Sequence, residues 1–209
     1  MIIPALTLAE RDRHLGHLEE HREQFILENT RLLVERLAEC ADELVSGKHC
    51  GKLKRGAEPQ PKRNGSPDDG AAVACIPARG EADEIAALML EQLLVKRGIK
   101  ARTLSCTGLA CEAVEQVKSS DVKIACVAVV PPFGYAHARY LCRRLKEEIP
   151  ELRLIAAVLT EREPDELKQR RPRLTVDEVA SSLKQVLAAI LSFLPTTNPP
   201  AAQPASGAR

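Results

Sequence analysis

Apolar residues recur at Ile26, Leu33, Leu37, Cys40 and Leu44, at spacings of three, four and seven, with Glu, Arg and Asp between them. That period is helical, and it draws one apolar stripe along a helix from about Leu18 to Val45. Pro4 suits a first helical turn and Gly16 interrupts the pattern, so a shorter helix from about Ala5 to His14 precedes the long one. Two helices alone bury too little surface to be stable. The stripe therefore needs a partner, either the rest of the chain or another subunit.

Beyond residue 70 the pattern alternates. Ala71 to Ile76 is a short apolar run, and Glu81 to Lys96 has helical period through Ile85, Leu88, Met89 and Leu93, with Gly98 in a C-cap position. Ala101 to Leu104 reads as a second strand and Leu109 to Lys118 as a second helix. Val122 to Val130 (VKIACVAVV) is the kind of continuous run found in a central parallel strand covered on both faces, and Pro131-Pro132 ends it. Gly134 to Glu148 follows as helix and Leu152 to Val158 as a fourth strand. Val176 to Phe193 reads as a closing helix through Val179, Leu183, Val186, Leu187 and Ile190; Leu174 to Val176 is at most a vestigial edge strand. Helices alternating with strands imply right-handed βαβ crossovers. The expected fold is α/β: a doubly wound, mainly parallel sheet of four to five strands, preceded by an N-terminal helical pair.

Composition divides the chain further. Residues 47–70 are dense in Gly, Pro, Lys and Arg and hold few apolar residues, which marks a flexible basic linker; 195–209 is Pro- and Ala-rich and reads as a disordered tail. The helical region is then 1–46 and the α/β domain 71–194. The 30 Lys and Arg nearly cancel the 29 Asp and Glu, leaving a net charge of +1, and aromatic residues make up 2% with no Trp. A general polyanion field and stacking faces are both missing, which argues against nucleic acid as a partner. No apolar run reaches the roughly 18 to 20 residues that span a bilayer, and no secretory signal is evident, so a cytoplasmic chain with no membrane span of its own is expected.

Seven cysteines, none in a CxxC pair, fit neither a disulfide framework nor a zinc site; Cys75 and Cys126 lie in strand-like runs and read as buried hydrophobes. His14, His17 and His21 fall at helical spacing, but Gly16 breaks the helix between them, so a polar face is the better account than a metal site.

In a doubly wound sheet, ligands bind beyond the C-terminal ends of the strands, where strand order reverses. Those positions hold Arg79, Glu81 and Asp83 after the first strand, Ser105 after the second, and Pro132 and Phe133 after the third. His137 and Arg139 lie early in the next helix, whose N-terminus offers free N–H groups, so with Arg79 they outline a candidate pocket for an anion or small polar ligand. The competing reading pairs Arg139 with an acidic neighbour and packs Tyr140 inward. Glu81 and Asp83 also suit the positive end of a helix dipole. GxGxxG, GxxxxGK[ST] and GxSxG are all absent, and Val130 and Pro131 stand where a phosphoacceptor Asp would end the third strand. No nucleophile, base and oxyanion donor assemble from these positions, so no enzyme is expected.

The segment GEADEIA, Gly80 to Ala86, with the apolar third strand, resembles the cobalamin-binding, flavodoxin-like Rossmann domain, whose first loop reads Asp-x-His-x-x-Gly. Residue by residue, the Asp position falls on Glu81, the cobalt-ligating His position on Asp83 and the Gly position on Ala86. The family's Ser near the end of the third strand falls near Ala128 or Val129, and its paired Gly after the fourth strand on Ala156 and Ala157. The resemblance thus implies the fold with its ligand motifs altered, and cobalamin is not the expected cofactor, because a hard carboxylate oxygen replaces imidazole.

Three longer phrases, IPALTLAERDRHLGHLEEHREQFI, CIPARGEADEIAALMLEQLL and PPFGYAHARYLCRRLKEEIPELRLI, resemble the soluble C-terminal extension of some autoinducer-2 exporter family permeases. That resemblance implies a cytosolic accessory or sensing role at the inner face of the membrane, with a permease or a second copy of the chain as partner. The expected function is a non-enzymatic regulatory or interaction module; the alternative is a domain that senses a corrinoid or an anion.

Overall fold

The computed structural model describes residues 2–45, 72–105, 110–132, 134–160 and 174–194. The linker assigned to 47–70, the tail at 195–209 and Phe133 lie outside the described residues.

Helix α1 (Ile2–His14) and helix α2 (Glu20–Val45) form an N-terminal hairpin that turns at Gly16, whose φ of 71° lies in the left-handed region. Then follow β1 (Val73–Pro77), α3 (Glu81–Lys96), β2 (Ala101–Thr103), α4 (Ala110–Lys118), β3 (Ile124–Val129), α5 (Tyr135–Glu148), β4 (Arg153–Val158), β5 (Glu178–Ala180) and α6 (Leu183–Phe193). The five strands are all parallel, in the order β2-β1-β3-β4-β5. This is the expected doubly wound α/β fold, with β3 in the middle of the sheet, as its apolar run requires.

Two cores sandwich the sheet. Cys75, Cys126 and Ile155 face α3 and α6, which contribute Ile85, Leu90, Val186 and Ile190. Ile76, Val127 and Leu154 face α4 and α5, which contribute Val114, Val117, Leu141 and Leu145. β1 and β3 are buried along their whole length. Both faces must be covered because βαβ crossovers leave helices on each side. The thiols of Cys75, Cys126 and Cys142 are buried as small hydrophobes, and burial pushes all three up, Cys142 to about 12.

The hairpin adds a third layer outside α3. Leu6, Leu27 and Val34 join the core on that side, and Arg31 of α2 lies 3.3 Å from Glu84 of α3. The stripe read from the sequence is therefore not the face that docks. Leu27 and Val34, with partly buried Thr30 and Arg31, turn inward, while Leu33 and Leu37 are each 51% exposed.

The closing segment also differs from expectation. Residues 178–180 form β5, and the helix begins only at Leu183. The Ser182 side chain accepts the Gln185 N–H, a cap that starts the helix there. Just before β5, Asp177 accepts the Leu154 N–H at 2.7 Å and pairs with Lys146 at 2.7 Å, which draws the segment to the sheet edge. Burial alone would raise the Asp177 carboxyl, but Lys146 and the Leu154 N–H hold it below the usual value.

Candidate functional site

The order of the strands reverses between β1 and β3, so the crevice beyond their carboxyl ends is where such a sheet offers a site. Asp83 sits there, in the first turn of α3. Gly80 is the N-cap of that helix and has no side chain to cap it, and the acid three positions on reaches back instead. Asp83 Oδ2 accepts the Arg79 N–H at 3.0 Å and the Gly80 N–H at 3.4 Å, while Oδ1 accepts the Val130 N–H at 2.6 Å. One side chain thus stitches the β1–α3 turn to the end of β3, across the switch point.

Gly134, the N-cap of α5, closes against this carboxylate. Its φ is 78°, and a Cβ there would lie 3.1 Å from Asp83 Oδ2 and 3.4 Å from Val129 Cγ1. Both the backbone conformation and the space call for glycine. Burial raises the Asp83 carboxyl to about 6, against the downward pull of its three N–H donors, and the charge of Glu10 adds to the rise.

The crevice above Asp83 has a volume of about 490 Å³. Its floor is Ala82, Asp83 and Val130, its rim Arg79, Gly80 and Gly134, and its far wall the last turns of α1, with Glu10, Arg13 and His14. Arg13 Nη2 donates to Glu10 Oε2 at 2.7 Å, and its Nε lies 3.1 Å from Glu23 Oε1 on α2. The hydrogen bond to Glu10 raises the Arg13 guanidinium, and burial raises Glu23 although Arg13 opposes it. The Arg79 side chain is exposed and makes no ion pair among the described residues. The lining mixes both charges, and no hydroxyl or thiol belongs to it among the described residues.

Of the residues predicted from sequence, the structure brings Arg79 and Asp83 together in this crevice. Glu81 is exposed at the start of α3, and Ser105 and Pro132 are exposed outside the lining. His137 and Arg139 are exposed on α5 and do not line it either. The competing reading of that helix fails as well: Tyr140 is 48% exposed beneath Arg143, and Arg139 makes no ion pair among the described residues. Sequence reasoning missed Glu10 and Arg13 and weighed His14 only as part of a histidine face, because only the docking of the hairpin brings α1 to the switch point. His14 and His21 fall on different helices, and among the described residues no three potential ligands group as a metal site needs.

The chain matches no known family model, and no curated protein matches it. Among the described residues, no helix is long and apolar enough to cross a membrane.

Proposed function

We propose that this chain is a non-enzymatic regulatory or interaction module: a cobalamin-binding-like α/β domain that no longer grips a corrin, working in the cytoplasm beside an autoinducer-2 exporter type permease. The observation that supports this reading is the state of Asp83. In the resemblance it stands at the cobalt-ligating position, yet it is buried and both its oxygens accept backbone N–H groups. Releasing it toward a metal would strand the Arg79 and Val130 donors, at a cost of about 1 to 3 kcal/mol each. Ala156 and Ala157, both fully buried, stand where the resemblance expects glycines that admit the corrin tail. Titrating the chain with hydroxocobalamin should leave the corrin absorbance unshifted and give no co-elution on gel filtration. A shifted spectrum that travels with the protein would overturn the reading.

A second reading, a small-anion sensor, draws on the crevice and on Arg79, which makes no ion pair among the described residues. His137 drops out of it, and Arg13 takes its place. Against it, Asp83 already occupies the loop donors that would cradle an anion. Inorganic phosphate should leave the melting temperature unchanged; a saturable rise that Arg79→Ala abolishes would favour the sensor.

A further inference from the structure

We infer that the N-terminal hairpin docks on α3 with the uptake of a proton, so that it is held in mildly acid conditions and loosens as pH rises toward neutrality, taking the far wall of the crevice with it. This device goes beyond the function proposed above and stands whether or not a permease is the partner.

Charge is unevenly distributed over the seam between hairpin and α3. The charged side chains buried among the described residues are Glu10, Asp83 and Glu84. All are acids, and all lie where the hairpin meets the first turn of α3. Partly buried Glu23 of α2 adds another carboxyl. Against them the hairpin sets Arg13 and Arg31, and both are engaged: Arg13 with Glu10 and Glu23, Arg31 with Glu84 at 3.3 Å. Asp83 makes no ion pair among the described residues, and its oxygens accept only the backbone N–H groups of Arg79, Gly80 and Val130. Drawing this excess of carboxylates out of water is costly unless one of them takes a proton. Asp83 is placed to do so. Oδ2 already accepts two N–H groups, so the proton goes to Oδ1, which keeps a lone pair for the Val130 N–H.

The charged neighbours of Asp83 come from three helices and one turn. α1 presents Glu10, Arg13 and His14, α2 presents Glu23, and the β1–α3 turn with the start of α3 presents Arg79, Glu81 and Glu84. Val130 after β3 and Gly134 before α5 carry no charge, and His137 and Arg139 lie outside the crevice lining. Burial is the main cause of the rise of Asp83 to about 6, the Glu10 charge adds to it, and burial lifts Glu23 as well. Because α1 walls the crevice and carries Glu10, undocking hydrates Asp83 and removes that charge, and the carboxyl returns toward its usual range. The docked form therefore holds the proton more tightly, and docking weakens as pH rises through the docked value. The apolar anchoring that opposes release is thin, resting on Leu6, Leu27 and Val34.

Hydrogen exchange of the full chain from pH 5 to 7.5, corrected for the intrinsic rate at each pH, tests this. Amides of α1 and α2 should be less protected than those of β1, β3 and β4 throughout, and their protection should fall by about fivefold to tenfold over the range. Asp83→Asn should remove most of that fall, and His14→Gln should leave it. An Asn amide would set N–H against the Arg79 or Gly80 N–H and disturb the turn, so a second measurement keeps the native side chain. Followed by carboxyl NMR, Asp83 should titrate at a pH lower by about 0.5 or more once Leu6→Ala with Val34→Ala loosens the hairpin. Hairpin protection that is flat or grows with pH overturns the inference, as does a fall that His14→Gln abolishes. An Asp83 titration indifferent to the loosened hairpin overturns it too, and so does exchange of hairpin and sheet at one common rate.

Discussion

The α/β unit and the N-terminal hairpin obey the same hydrophobic rule with opposite results. In the sheet every residue of β1, β3 and all but the first of β4 is buried, and helices cover both faces. In the hairpin, three strongly buried leucine and valine side chains, Leu6, Leu27 and Val34, carry the docking on α3. Of the nine exposed large apolar residues among the described residues, six lie between Leu8 and Leu37. An element with so few buried contacts opens at lower free energy than the core it leans on. The hairpin also forms one wall of the switch-point crevice, so the least anchored layer borders that crevice.

Substitutions measure that contrast, beginning with the core. Ile155 is fully buried in β4. Ile155→Ala should cost about 4 kcal/mol in urea unfolding and lower protection from hydrogen exchange throughout the sheet. A cost below about 1 kcal/mol would mean that the sheet is not the stability centre.

Next in size is the response to pH. The folded Asp83 carboxyl titrates near 6 against a usual 3.8, so between these values the folded chain holds a proton that the unfolded chain has lost. Stability from this group is complete below the unfolded value and falls as pH rises through the folded one, by about 3 kcal/mol in all. Glu23, raised by burial as well, acts with the same sign, whereas Asp177, lowered, loses its contribution only under more acid conditions. Unfolding free energies from pH 4 to 7 should fall, and Asp83→Asn should flatten most of that slope. An unchanged slope in the variant would remove Asp83 from the account.

The smallest effect belongs to the hairpin. Leu6→Ala should cost about 2 kcal/mol, at the low end for a buried leucine because a thinly held helix can shift to fill the gap. The loss should appear as faster exchange in α1 and α2 with the sheet amides unaffected. Equal loosening of both regions would show that hairpin and sheet unfold as one unit.

Much of the architecture was legible because its signals are local. VKIACVAVV could hardly be anything but an inner strand, and the bounds of α3 followed from its period, an acidic first turn and Gly98, which takes a φ of 74°. The closing helix was drawn too long because Val176 and Val179 fit a helical period as well as an extended edge. What decides between them is the ladder to β4 and the Asp177 contacts with Lys146 and Leu154, which are remote in sequence. The candidate site divides in the same way. Asp83 stood out by its place after β1, but its task could not be read there, since Val130 lies 47 positions away. Glu10 and Arg13 carry no local mark of a site at all, and the histidine spacing that marks His14 pointed elsewhere. The α2 stripe was read with its partner left open, the rest of the chain or another subunit, and the face that docks within the chain is instead the adjacent one of Leu27 and Val34.

The cysteines give the fold an internal clock. Cys75 and Cys126 are register partners on adjacent strands, and with Cys142 they are shielded from solvent, whereas Cys40 and Cys111 stand at the surface. A thiol reagent added to the native protein would modify the outer pair at once. It would reach the inner three only when a molecule transiently comes apart, so the slow phase of labelling would time the opening of the sheet without any engineered probe.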